Sequence, residues 1–415
     1  MSYAKTIFFI PVWYDQFKPF VQAMNSHTLW EATDPKKAWA GYLFRYASEI
    51  NKNKDLFVSY TLKDPTKLNV YMFQEEMATE DAPHIDEVRC SCFGTGVGFI
   101  EFWVSYSGWS AEKIANFSYM FKKATSKCNK ELPDHQRALY DIAKTLLPQE
   151  QKAQLFFSSS ARFKYECSCF HFIHLDQEIP DEASLKATLY RLSRSYRNDM
   201  PTSAESAYDM TYEAGAGDYW SGCSEGLANI VCDFRSDKST KSDYYLHILK
   251  LQRLQTDYYF MYLLLLNQKY AAVEYIRMVS QLLEGNTKAV ESLNKRIVLL
   301  KNTFSFNVIS DDSIIQNVYS KMYAVLDIRN LLEDVIENEK QLEFLQKAKH
   351  MNDDRLSNKY LLGISILSLF SALIDSASFF DRVDSIQPIS TILSLICVLS
   401  ILMLCVVWAV KSVWK

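Results

Sequence analysis

YLLGISILSLFSALIDSASFF (Tyr360–Phe380) and, after the short polar link Asp381–Pro388, ISTILSLICVLSILMLCVVWAV (Ile389–Val410) decide how this chain reads. Asp375 is the single charge in the first run, and the second has none. At 1.5 Å per residue each reaches roughly 30 Å as a helix, the thickness of a bilayer's hydrocarbon core. A core helix of a soluble domain is rarely apolar all round for that length. The link allows only a tight return, so the expectation is a transmembrane hairpin with spans at about 360–380 and 389–410. Lys347, Lys349, Arg355 and Lys359 precede the first run and Lys411 and Lys415 follow the second, while Arg382 in the link is offset by Asp381 and Asp384. That bias predicts a multi-pass protein of the cell inner membrane, in contact with the lipid bilayer, with both termini cytoplasmic.

Upstream, 415 residues leave room for two or three domains. The net charge of −4 has no basic cluster behind it, so direct nucleic-acid binding is not expected. Mean hydropathy is −0.13, an ordinary value, because a long polar segment averages away the two apolar runs. Met1–Pro11 has one lysine, a brief apolar run and no small-residue cleavage site, so it does not read as a signal peptide. Nine cysteines are an odd number for a reducing compartment and predict thiols.

Over residues 1–235 strands and helices alternate, which predicts an α+β (α/β) cytosolic domain for ligand sensing. Lys5–Tyr14 reads as a buried strand, with Pro11 placing it near an edge or a bulge. Asp55–Leu62 and Leu68–Phe73 read as a hairpin, and the acidic Ala78–Val88 as a surface loop. Gly94–Trp109 is a Gly-rich turn into a strand, followed by a helix capped by Ser110. Further helices are expected at Arg137–Leu147 and Ser184–Arg197, and strands at Ala161–Asp176 and Asn229–Phe234. Residues 236–358 read as a helical stalk: Ser242–Leu283, a break at Gly285-Asn286, a helix Lys288–Leu300, and a helix from the cap Ser310-Asp-Asp-Ser313 uninterrupted to Lys359. Ile315, Val318, Met322, Val325, Leu332, Ile336, Leu342 and Leu345 keep a three-four spacing along it, the seam of a coiled coil or bundle that favours an oligomer. Residues 359–415 are the hairpin.

This layout resembles the CorA family of pentameric two-span metal-ion transporters. The strings GTGVGFIEFWVSY (94–106), SDYYLHILKLQRLQTDYYFMYLLLLNQKY (242–270) and TFSFNVISDD (303–312) are similar to divergent bacterial members. The family's Gly-Met-Asn at the end of the first span is absent; Ala372–Phe380 reads ALIDSASFF there, so magnesium selectivity does not carry over. The resemblance is to the branch associated with type III CRISPR antiviral defence. It implies a homopentamer gated by a nucleotide second messenger made from S-adenosylmethionine and AMP.

On that reading Ser365, Ser368, Ala372 and Asp375 share a helix face that would line a pore, with Asp375 as a carboxylate ring near its mouth. For the ligand, Gly94, Gly96 and Gly98 form a turn that would let a phosphate approach backbone N–H groups, although turn chemistry alone accounts for them too. Gly215–Gly226 reads as a loop offering Trp220 and Tyr219 for stacking and Ser224 and Glu225 as acceptors; an interface loop fits equally well. Trp103, Trp109 and Arg162 are secondary candidates. Cys90, Cys92, Cys167, Cys169, His171 and His174 are zinc's preferred ligand types, but core packing of alternating strands accounts for the pattern and no metal site is assigned. No Ser–His–Asp, His-Glu-x-x-His or P-loop signature appears, so no catalytic residue is assigned and an enzyme is not expected. The expected function is a CorA-like ion channel gated by a nucleotide. The alternatives are a divalent-cation transporter with a non-standard filter and a membrane-tethered binding module without conduction.

Overall fold

The computed structural model describes residues 3–33, 41–66, 68, 83–123, 139–148, 153–156, 167–175, 181–197, 199, 210–215, 217–232, 249–282, 287–341, 344, 361, 363–365 and 368. Residues 1–339 form one compact unit and 340–415 a second. In chain order the first holds β1 (Tyr3–Trp13), α1 (Phe17–Ser26), β2 (Trp30–Ala32), α2 (Arg45–Ile50), β3 (Phe57–Leu62), β4 (His84–Phe93) and β5 (Val97–Ser107). There follow α3 (Ala111–Lys123), α4 (Leu139–Leu146), β6 (Gln154–Leu155), β7 (Ser168–Leu175), α5 (Glu182–Arg194), β8 (Met210–Gly215), β9 (Asp218–Cys223) and β10 (Gly226–Cys232). One continuous helical run then comprises α6 (Lys250–Arg253), a π-helical turn (Leu254–Tyr258) and α7 (Tyr259–Leu282). Next come α8 (Thr287–Leu299), a second π turn (Leu300–Phe304) and α9 (Ser313–Val325).

The strands form one ten-stranded sheet in the order β2-β3-β4-β5-β1-β7-β10-β9-β8, with β6 beside the end of β1. Every pairing is antiparallel except β7 with β10. β1 lies at the centre and is buried on both faces, so it reads as a nearly continuous apolar run. Its side chains still alternate. Ala4, Phe8, Ile10 and Val12 join a core cluster with residues of α1, α3, α4 and α5. Phe9 and Trp13 face the other way, against Tyr259 and Tyr262 and against Tyr275 of α7. The sheet is thus the middle of three layers, with α1 and α3–α5 on one face and α6–α9 on the other. The run FMYLLLL at Phe260–Leu266 is apolar all round because it is wholly buried in its layer.

Several expectations need correction. The transmembrane hairpin, the multi-pass inner-membrane location and the ion channel are overturned: among the described residues no helix is long and apolar enough to cross a membrane. The fold class becomes a mixed α/β protein built on the ten-stranded sheet. Of the two apolar runs, only Leu361, Gly363, Ile364, Ser365 and Ser368 are described; these are helical, and the rest lies outside the described residues. The physical reason for the correction is general. The longest described apolar helix, α7, meets the requirement to leave water by packing on a sheet, and length and apolarity do not separate that case from burial in lipid.

The stalk is not one uninterrupted helix. Within the expected cap segment Ser310-Asp-Asp-Ser313 it is Asp312, and not Ser310, that caps α9, accepting from the N–H groups of Ile314 and Ile315 at 2.9 and 3.2 Å. The helix ends at Leu326, and Asp327 takes a left-handed conformation (φ 56°) before residues 328–339 turn helical again. Asp327 tolerates that conformation because its short carboxylate accepts from Asn330 Nδ2 at 2.7 Å. The seam residues Ile315, Val318, Met322 and Leu332 are buried within this chain. Of the expected surface loop Ala78–Val88, the part from His84 belongs to β4, which takes the place beside β3 assigned to Leu68–Phe73; Leu68, the only described residue of that stretch, is helical. Pro11 sits in the central strand, past the last β1–β7 pair at Phe9 and Ser168. Most of the expected Gly215–Gly226 loop is strand β9.

Candidate ligand site at the start of the long helix

Lys250 and Arg253 are cations three residues apart at the start of the long helical run, and both are buried. A buried cation needs a counter-charge. Lys250 Nζ lies 2.6 Å from Asp218 Oδ2 at the start of β9, whose other oxygen accepts from Asn229 Nδ2 at 2.7 Å. The ammonium also sits over the rings of Trp220 and Tyr258, at 5.0 and 4.7 Å. Arg253 Nη2 lies 2.6 Å from Asp312 Oδ2, the carboxylate that caps α9, and its guanidinium stacks 4.0 Å from the Tyr42 ring centroid.

The π turn then offsets the next residues from the regular helical phase. Gln255 Nε2 donates to the Tyr3 hydroxyl at 3.0 Å, on β1. Asp257 accepts from the Tyr42 N–H at 2.8 Å, and Ser310 closes the same corner by donating to the Tyr42 carbonyl at 2.6 Å. The Tyr259 hydroxyl donates to Glu101 Oε2 at 2.6 Å, on β5. Ten residues of helix therefore touch β1, β5, β9, the 41–44 segment and the cap of α9.

Burial pulls the Lys250 ammonium below its ordinary value, against the opposing field of Asp218. Burial would lift Asp312, but its bonds from Arg253 and from the helix N–H groups hold it low. Asp257 and Glu101 are raised, burial being the largest cause in each. Beside Lys250 a small pocket opens, lined by Tyr3, Phe172, Ile173, His174, Val231, Lys250, Leu251 and Leu254. Tyr3 and Phe172 stack there with centroids 6.3 Å apart and planes 27° apart.

Of the sequence-derived candidates, Trp220 lies at this site. Its ring is wholly buried between Phe170 and Tyr258, and its Nε1 has no hydrogen-bond partner among the described residues. Trp103 is close by, against Tyr259 at 4.9 Å with the Arg89 guanidinium 4.3 Å from its ring. The other candidates lie elsewhere. Tyr219 faces the opposite side of β9, its carbonyl accepting from Asn229. Ser224 and Glu225 form the β9–β10 turn at the far end of the sheet, where the Ser224 carbonyl accepts from Lys269 and Glu225 pairs with Lys122 at 3.0 Å. Trp109 packs on Tyr106 and Phe117 on the α3 side.

Gly94, Gly96 and Gly98 lie at the β4–β5 turn, also at that far end. The N–H groups of Gly94 and Gly96 already donate to Leu56 and Phe93 carbonyls. A Cβ at Gly96 (φ 91°) would stand 2.7 Å from Arg296 Nη1, so this glycine allows α8 to approach the turn. Ser365 and Ser368 are exposed and their hydroxyls bond back to the carbonyls of Leu361 and Ser365. Ala372, Asp375 and Arg162 lie outside the described residues.

Cys169 and His171 share a face of β7, Cys167 stands just before that strand, and Cys90 and Cys92 bring their sulfurs to 3.8 Å. Among the described residues no group of three or more His, Cys, Asp and Glu side chains is placed to hold a metal ion. Lys250, Arg253, Asp218 and Asp257 were not candidates from sequence. The available signal was two cations three residues apart, interleaved with Leu249, Leu251 and Leu254 just before the apolar run Phe260–Leu266; a cation on a buried face requires a buried partner. The chain matches no protein-family model, no curated protein and no solved structure.

Proposed function

We propose that residues 1–339 are a sensor module that binds a nucleotide at the start of the long helix and does not turn it over. The observation that carries this reading is Lys250: a buried ammonium over two adjoining aromatic rings, on the wall of a pocket lined by Tyr3 and Phe172. Cation and aromatic surface together suit a ligand that is anionic at one end and planar at the other. A phosphate competing for Lys250 and Arg253 loosens their bonds to Asp218 and Asp312. Since Asp312 caps α9, binding then biases the conformation of that helix. The ligand acts as a signal to the extent that it prefers one arrangement over the other.

The test is isothermal titration with the S-adenosylmethionine–AMP conjugate that the CorA-like resemblance implies, with ATP and with magnesium ion. The partner-matched variant Lys250→Met/Asp218→Asn keeps the core neutral. Expected are saturable binding of the conjugate, no nucleotide cleavage by chromatography, and at least tenfold weaker binding by the variant, about 1.4 kcal/mol. Nucleotide binding that the variant leaves unchanged, or heat from magnesium alone, overturns the reading.

A further inference from the structure

Next to the Arg253–Asp312 pair, residues 42–46 meet residues 306–310 and leave a row of apolar side chains outside. The Phe44 N–H donates to the Ile309 carbonyl at 2.8 Å, and Leu43 turns inward and is buried. Tyr42, Tyr46 and Val308 are 49%, 49% and 46% exposed, and Phe44 is half-buried between them in sequence. The Phe44 and Tyr46 rings lie 5.4 Å apart with planes at 30°, and Tyr46 continues onto the Phe306 ring at 5.5 Å. Single exposed apolar side chains are ordinary, whereas a contiguous exposed strip marks a surface that a partner covers.

Hydrogen bonding decides what kind of partner fits. The Tyr42 N–H is held by Asp257 at 2.8 Å, and its carbonyl by Ser310 Oγ. The Phe44 carbonyl accepts from the Ser48 N–H at 3.0 Å, the Val308 carbonyl from the Tyr46 hydroxyl, and the Ile309 N–H donates to Gln316 Oε1 at 2.8 Å. A strand added here would have to break these bonds, so main-chain pairing is not the mode. A polyproline II segment needs none of them: its prolines have no N–H, and its shape is set before it binds. Charge selects further. Arg45 is already matched by Glu49 at 2.7 Å, whereas the exposed Asp311 makes no ion pair with a described residue. Asp311 lies near enough to the strip for its field to add to burial in raising the Tyr46 hydroxyl.

We propose that Tyr42, Phe44, Tyr46 and Val308 form a docking surface for a proline-rich peptide in the polyproline II conformation, with an arginine of that peptide pairing with Asp311. The prolines lay their rings on the aromatic strip, and the guanidinium meets the carboxylate at its rim. Ring contact supplies most of the affinity, and the rim charge fixes the direction in which the peptide lies.

The test is fluorescence anisotropy of the full chain with three fluorescein-labelled peptides: one arginine followed by six prolines, the same peptide with glutamate in place of arginine, and one arginine followed by three Gly-Ser repeats. Expected is saturable binding of the first, at least threefold weaker binding of the second and at least tenfold weaker binding of the third. Val308→Glu, with an unchanged melting temperature, weakens the first at least tenfold. Asp311→Lys removes the preference for arginine over glutamate. No binding of the first peptide, equal binding of the Gly-Ser peptide, or an arginine preference that survives Asp311→Lys overturns the proposal. So does a chain that sediments as a dimer and becomes a monomer on Val308→Glu, since the strip is then covered by a second copy.

Discussion

The two faces of the sheet treat buried polar groups differently. Under α6–α9 each buried cation meets a carboxylate from a distant element, Lys250 with Asp218 and Arg253 with Asp312. Under α3 and α5, Lys122 pairs with the half-buried Glu225 at 3.0 Å and donates to the Arg194 carbonyl at 3.4 Å. Closed pairs join elements rigidly and make each partner hard to remove. The Lys122–Glu225 pair instead keeps one partner in contact with solvent.

That contrast sets the scale of what substitutions do. Lys250→Met strands the Asp218 carboxylate in the core and is expected to cost about 3–5 kcal/mol in urea unfolding. Lys250→Met/Asp218→Asn recovers most of that loss; failure to recover would mean that the pair does more than neutralise itself. Next comes Gly96→Ala, which forces a left-handed φ on alanine and a Cβ against Arg296, for about 2 kcal/mol. Gly215→Ala, with nothing within 4 Å, is close to neutral.

Two helix caps give a finer comparison. Asp312→Ala removes both the α9 cap and the Arg253 partner, and is expected to cost about 2 kcal/mol or more. Asp181→Ala removes only the exposed cap of α5, where its carboxylate accepts from the Ser184 N–H at 2.7 Å, for about 1 kcal/mol. Equal costs would show that the Arg253–Asp312 pair adds nothing to the cap.

The smallest effect is in pH. Glu101 is raised in the folded state, burial outweighing the bond from Tyr259, so the fold binds this proton more tightly than the unfolded chain does. Its contribution is full below the ordinary carboxylate value and is lost as pH rises through the folded value. Asp86 has the opposite sign. Burial would raise it, but Lys5, Ser105 and His84 hold it low, so its contribution is present at neutrality and is lost as pH falls through the folded value. Thermal melts across pH are expected to show Glu101→Gln flattening the loss that sets in above the ordinary carboxylate value, and leaving the loss towards acid pH in place.

Much of the secondary structure was legible. Alternation and β-branched content found the cores of β1, β3, β5, β7 and β10, and Ser110 and the segment Ser310–Ser313 announced their helices because capping is local chemistry. β4 was misread where its first half carries Asp86 and Glu87, acids that pair with Lys5 and Arg89 on the sheet. β9 was misread because its glycines suggested a loop, whereas a Cβ at Gly222 would meet Met322 Sδ at 2.2 Å. The interruption at Asp327 was invisible because no proline or glycine marks it. Of the candidate site, Trp220 was found by its composition, but its surroundings on Tyr258 and Lys250 were not.

The amino-acid order alone settled which segments are periodic, where several helices begin, and which faces must leave water, since those follow from interactions within a few residues. It carried no statement of what receives each apolar face. The placing of β1 between β5 and β7, the burial of FMYLLLL in the α7 layer and the meeting of Lys250 with Asp218 came from contacts between elements far apart in the chain. The reason is physical: hydrophobic burial has no direction, so a sequence can demand it without naming the partner.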